Sequence, residues 1–418
     1  MSIYNLVEIA GKSGIIKGIQ PNLLEPNAWS NGANVRMRHG SVYSDPGFVT
    51  ISSTPYSAYR LLQFTDADYN IGYIYMGDTQ VGIYIYGQNY DITRSASNYG
   101  GTALTQWTAD LFGGLPILNN GVDVPQVWLN PTISSPLEDL PNWPSGDRVK
   151  VLKTFGNYLV GLNFTISGQV KPFDVRWSQS ADPGTVPASW NIADPTIDAG
   201  EYPMSSTGGE LIDMLPLGNH NIICRKNAVW GMSLVGFPYI FSFNRLPMPF
   251  GILSMNCVCE FLNRHFVVTN ADIIQHDGNS WQSLVEGKMR TWIFKNLDRD
   301  SLQYCFVQRN SAAKEIWFFF RRTVSGAQTG RKVPNTAFIW NWEDNTTSLI
   351  LDRIQGTSHA IDYLYSTDTN YQSFDDTTGS FDSQTGDLES DDTPKRRRLI
   401  LLNSEQKELQ YADDFVEL

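Results

Sequence analysis

The feature that most constrains this chain is a recurring strand–turn–strand unit. Residues 149–152 lead into 155–162, 214–217 into 218–224, 257–262 into 263–268, and 304–308 through 309–311 into 315–320. Each is an alternating apolar run, a polar turn with an asparagine, and a second run, which reads as paired β-strands. Residues 73–78 and 81–86 form an earlier pair, and 227–232 and 271–276 add third strands. The turn residues Asn157, Asn219, Asn263 and Asn310 are 62, 44 and 47 residues apart, and Asn70 precedes Asn157 by 87, about two such periods. A period near 45 residues with three or four strands is the pattern of propeller blades, because one small twisted sheet covers both faces only by stacking radially on neighbours. A pair of packed sheets is the competing arrangement. The expected fold is mainly β: a β-propeller-like body of three- to four-stranded antiparallel blades with an N-terminal assembly segment. Its divisions are 1–55 for that segment, 56–365 for the body, 366–394 for an acidic flexible insertion, and 395–418 for a C-terminal hairpin closing the body.

Composition supports strands over long solvated helices. Charged residues are only 18%, and Trp, Tyr and Phe number 12, 19 and 21, alongside 34 Gly and 21 Pro. The formal net charge of −12 is opposite to that of a surface built to neutralise duplex phosphates. The opening residues lack a basic start and carry Glu8, so no secretory signal is expected. The uncharged run 227–244 contains Gly231, Gly236 and Pro238 and reads as a hairpin, not a membrane span. Cys224, Cys257, Cys259 and Cys305 lie in apolar runs and are expected to be reduced and buried. These readings place the protein in a cytoplasm during folding.

No motif demands catalysis, a cofactor or a metal. Gly11-Lys12-Ser13 resembles the end of a phosphate loop, but Leu6 stands where the other glycine is required. The five histidines, His39, His220, His265, His276 and His359, show no helical zinc spacing, and His220 and His265 sit beside turn asparagines where exposure is expected. No Gly-x-Ser-x-Gly occurs. Asp182 through Trp190 and Asp277 through Trp281 loosely match Asp-box turns, which stabilise β architecture and are not catalytic. Trp29, Trp177, Trp190, Trp340 and Trp342 are candidate interface anchors, with core packing the expectation for most. Lys395, Arg396, Arg397 and Arg398 form the one basic cluster, after a stretch with seven acidic residues between Asp375 and Asp392. They read as a solvated loop end or as a docking point for an acidic partner or a phosphate backbone.

Residues 14–40 contain Ala28-Trp29-Ser30-Asn31-Gly32-Ala33-Asn34-Val35-Arg36 after an isoleucine-rich strand and a proline-containing loop, and Pro46-Gly47-Phe48 continues the pattern. This segment resembles the N-terminal region of the tail nozzle, or head-closure hub, proteins of short-tailed bacteriophages, a group that includes the packaged-DNA stabilisation proteins. Residues 174–178 before Asp182-Pro183 and Trp190-Asn191, and Asn310-Ser311 before 315–318, look like that family's mid-propeller elements. Gln20 departs from the pattern, since an Asp often precedes the first Pro. The resemblance implies a virion tail protein that is not an enzyme. It implies a homo-hexameric ring below the portal and adaptor ring, contacts with tail fibres or spikes, and an axial channel that retains DNA until ejection without sequence-specific binding. Ala28, Trp29, Ser30, Gly32, Asn34, Val35 and Arg36 would then belong to assembly. Six copies at −12 each make −72 around such a channel. The alternative is a carbohydrate-binding or sialidase-like propeller on a tail or cell surface.

Overall fold

The computed structural model describes residues 11–323, 331–365 and 396–412. The acidic stretch 366–394, Lys395 and the Arg396 side chain lie outside what it describes. Seven antiparallel sheets follow one another, with first strands Ala58–Thr65, Thr108–Phe112, Arg148–Phe155, Leu211–Leu217, Val258–Phe261, Phe306–Asn310 and Thr357–Tyr365. Each first strand packs against the first strand of the next sheet, and Thr357–Tyr365 packs back on Ala58–Thr65. The ring closes. The chain is a seven-bladed β-propeller.

Closure draws on both halves of the chain. The seventh blade takes Thr357–Tyr365, Arg396–Asn403 and Glu408–Ala412 from the C-terminal part, and Phe48–Ser53 as its outer strand. Blade 6 holds six strands, because the hairpin Val35–Arg38 and Ser41–Ser44 adds to its outer strand Thr347–Leu351. His39 and Gly40 both have positive φ at that hairpin tip, as its tight turn requires. Residues 35–53 therefore serve two different blades. Among the described residues the only α-helix is Arg290–Asn296, and no helix is long and apolar enough to cross a membrane.

The core lies between blades. In Glu315–Phe320 every residue is buried. Ile316, Phe318 and Phe320 join the cluster shared with blade 5, while Trp317 and Phe319 join the cluster shared with blade 7. Successive side chains of a strand point to opposite faces, so a strand covered on both faces reads as continuous apolar sequence. Arg396–Asn403 repeats the arrangement, with Leu399 and Leu401 facing blade 6 and Ile400 and Leu402 facing blade 1.

Candidate functional site

Two regions gather polar side chains in unusual settings: the resembling segment against blade 6, and the propeller axis.

The segment is clasped by backbone hydrogen bonds. Ile15 N donates to Thr347 O (2.9 Å), Ile16 N to Trp29 O (2.8 Å) and Trp29 N to Gly14 O (3.0 Å). Gly14 has φ +75° and a Cβ there would stand 2.4 Å from Thr347 N, so only glycine fits. Asn34 takes φ 56°; its Oδ1 accepts from Leu351 N at 2.9 Å. Val35 pairs with Ser44 and Leu349. Arg36 is 2% exposed and Glu315 is 1% exposed. The guanidinium donates to Glu315 through Nη2 (2.7 Å) and Nε (3.3 Å) and lies 5.3 Å over the Trp317 ring. Asp45 Oδ1 is 3.8 Å from Arg36 Nη1; burial raises the Asp45 pKa against the lowering pull of Arg36 and Arg353. The other half of the segment faces solvent: Leu23 is 68% exposed, Trp29 38%, and Ser30 is exposed, with Ala28 half-buried.

The axis is ionic. Asp213 is fully buried and accepts from Lys153 Nζ (2.5 Å), Asn256 N (2.9 Å) and Met214 N (2.8 Å). Asp110 accepts the backbone N–H groups of Leu111 (2.9 Å) and Thr154 (2.8 Å), and burial raises its pKa. Arg60 donates to Asn256 Oδ1 at 2.6 Å and stands 2.7 Å from His359 Nε2. Nearer the turns joining first and second strands, Arg309 meets Glu260 (3.0 Å) and Asp362 (3.4 Å). Arg397 reaches Asp362 at 3.9 Å, and Arg398 packs over Tyr411 at 4.5 Å. The basic run is thus strand from Arg396 onward, paired with Tyr363, Leu364 and Tyr365. One positional signal in the sequence marks the axis: Arg60, Asp110, Asp213, Glu260 and His359 are each the third residue of a first strand.

Other candidate residues fall elsewhere. His265 is fully buried, not exposed at a turn; its Nε2 lies 2.8 Å from Pro216 O. His276, paired with it across adjacent strands, is buried too. Burial holds the pKa of His265 down to about 4 and that of His276 to about 3. All four cysteines are free and buried, and burial pushes the Cys224 and Cys257 thiols up to about 12. Trp177, Trp190 and Trp340 are buried. Gly11 N and Ser13 N are already bonded to Gly40 O and Asn27 O, which leaves no phosphate cradle. Asp277 Oδ1 accepts from Asn279 N (2.9 Å) and Ser280 N (2.7 Å), a turn-holding role that lowers its pKa to about 2. No cluster of three or more metal-ligating side chains occurs among the described residues. An open groove of about 570 Å³ runs between blades 5 and 6, lined by Trp342, Phe261, Gln275, Gln282 and Glu286 among others.

No family profile matches the chain, and no curated protein matches it. Among solved structures it is similar to one described as the crystal structure of the WD40 beta propeller domain of Doa1. The identity is 7% and the TM-score 0.42, with 89% of this chain and 98% of that one covered.

Proposed function

We propose that this propeller is a structural subunit of a bacteriophage tail nozzle or head-closure hub, which retains packaged DNA and forms part of its ejection path. The observation that carries the reading is the segment 14–48, which resembles that family. Its Gly32–Arg36 half is anchored on blade 6 by a buried ion pair, while Leu23, Trp29 and Ser30 in the other half carry exposed side chains. That division suits an assembly segment: one half fixed, one half available. The propeller's own axis is filled by Arg60, Asp110, Lys153, Asp213 and Arg309 with their partners, so duplex DNA would pass between copies and not through one. A ring of copies, homo-hexameric in this reading, supplies such a path, and an acidic wall lets DNA slide without adhering.

Mixing the purified protein with its portal–adaptor complex should give an added ring in negative-stain micrographs. Reversing Arg397 and Arg398 to Glu should weaken that addition in a salt-dependent way if the basic strand docks a partner. Particles assembled without the protein should leak DNA; full retention would refute the role. A second reading, glycan recognition, is favoured by the groove between blades 5 and 6, where Trp342 adjoins polar side chains. Specific glycan-array binding that is lost in Trp342→Ala would select it.

A further inference from the structure

The end of the axis where the first strands begin holds a small cavity of about 40 Å³, lined by Arg60, His359, Asn256, Tyr59, Tyr304 and Arg331 among others. At about 10–15 Å³ per water this is room for about three waters, or for one small oxyanion. Two of its donors lack an acceptor. Arg60 Nε is buried with no hydrogen-bond partner, and so is Arg331 Nε. His359 adds a third unmatched donor. Its Nδ1 faces the Leu61 backbone N–H at 3.3 Å, and its Nε2 faces the Arg60 guanidinium at 2.7 Å. Both neighbours can only donate. A neutral imidazole carries one N–H, so in either tautomer that N–H meets a donor and lacks an acceptor.

Charge follows the same pattern. Lys153 has Asp213 in contact and Arg331 has Asp78. Among the described residues Arg60 has no carboxylate in contact: Asp110 is engaged by backbone amides and Asp213 by Lys153. Burial brings the Arg60 pKa down to about 10, with Asp213 and Asp110 acting only through space. An arginine held this way costs stability until an acceptor of negative charge arrives.

We propose that this cavity is a binding site for a small oxyanion, a phosphate or carboxylate group held by Arg60 with help from His359 and Arg331. Such a group accepts from Arg60 Nε and brings the counter-charge that Arg60 lacks, and His359 positions the Arg60 guanidinium from 2.7 Å. The site is independent of the assembly reading, since none of its residues belongs to segment 14–48.

Titrating inorganic phosphate at constant ionic strength, balanced with chloride, tests it by thermal shift and by ³¹P line broadening. Acetate in place of phosphate separates a tetrahedral ligand from a carboxylate donated by a partner. The expected result is a saturable rise in Tm with one oxyanion, with the half-saturating concentration raised at least ten-fold in Arg60→Gln and in Arg331→Gln. Should Arg60→Gln fail to fold, Arg331→Gln and the line broadening on the unaltered protein still decide. No saturable response to either oxyanion overturns the proposal, as does an unchanged response in both variants.

Discussion

The ion pair between Arg36 and Glu315 invites the sharpest test, because it joins residues 279 apart in sequence inside a site that water does not reach. Arg36→Met keeps the length and apolar packing of the side chain and removes its charge. Glu315 then keeps the hydrogen bond from Trp317 Nε1 (2.9 Å). Among the described residues Asp45 then keeps the half-exposed Arg353, 3.9 Å away, as its cation. Removing one member of a buried pair costs about 3–5 kcal/mol, whereas replacing both members with well-packed apolar groups is often close to neutral. The expected loss for Arg36→Met is therefore about 4 kcal/mol, and Arg36→Met with Glu315→Leu should recover most of it. Glu315→Gln should cost less than Arg36→Met, since an amide oxygen still accepts from Trp317.

Urea unfolding followed by tryptophan fluorescence measures these differences at equal m-values, and Arg36→Met, Glu315→Leu and their double close a mutant cycle. The pH adds an independent sign. Burial already raises the Asp45 pKa and Arg36 is the larger of the two cations lowering it, so loss of Arg36 raises it further. A carboxyl whose folded pKa lies above its unfolded value gains stability as pH falls through the folded pKa. The deficit of Arg36→Met should accordingly shrink as the pH falls from neutrality. A single-variant cost under about 1 kcal/mol, the level of an exposed pair, or a double variant as unstable as the sum of the singles, would refute the uncompensated-charge reasoning.

Three further outcomes follow from the same geometry. Removing residues 1–53 takes away the outer strand of blade 7 and exposes the edge of Glu408–Ala412; light scattering should show aggregation, as unpaired edges promote it. His265 and His276 are buried neutral with depressed pKa values near 4 and 3, so their contribution is complete above the unfolded value of about 6.5 and falls as pH drops below it. At pH 5 each should cost about 2 kcal/mol relative to neutral pH, and unfolding curves of His276→Phe should show a shallower acid limb. The four buried thiols should resist a thiol reagent in the native protein and all react in denaturant, because burial holds them protonated.

Much of the propeller was legible because the first-to-second-strand turns repeat. Asn157, Asn219, Asn263 and Asn310 mark that turn in blades 3 to 6, and Asn70 marks it in blade 1. The 87-residue gap hides blade 2, whose turn is Gly113-Gly114 without asparagine and whose outer strands, Gln126–Val127 and Glu138–Asp139, are two residues long. Blade 7 was legible only as its C-terminal hairpin, for a different reason. Residues 366–394 fall between its first and second strands, and its fourth strand comes from Phe48–Ser53 at the other end of the chain. Periodicity along a sequence cannot register a blade assembled out of order. The axial cluster was missed because polar residues within otherwise apolar strands read as outward-facing, whereas here they point to an axis that no neighbouring blade covers.

This placement also divides what the N-terminal resemblance can mean. Gly14, Asn34 and Arg36 each have a local reason to be what they are: a backbone approach that only glycine fits, a positive φ, and a buried carboxylate to neutralise. Any chain fastening a hairpin to the edge of such a blade would meet the same requirements. Likeness at those positions therefore speaks for the manner of closure. The exposed side chains of Leu23 and Ser30 meet no such requirement of closure, while Trp29, whose backbone joins the clasp, keeps its side chain 38% exposed. The functional reading consequently rests on the exposed half: Leu23→Ser with Trp29→Ser should leave the urea midpoint in place and abolish ring addition to the adaptor complex. If both measurements stay at their original values, the segment only closes the propeller and the assembly role is lost with it.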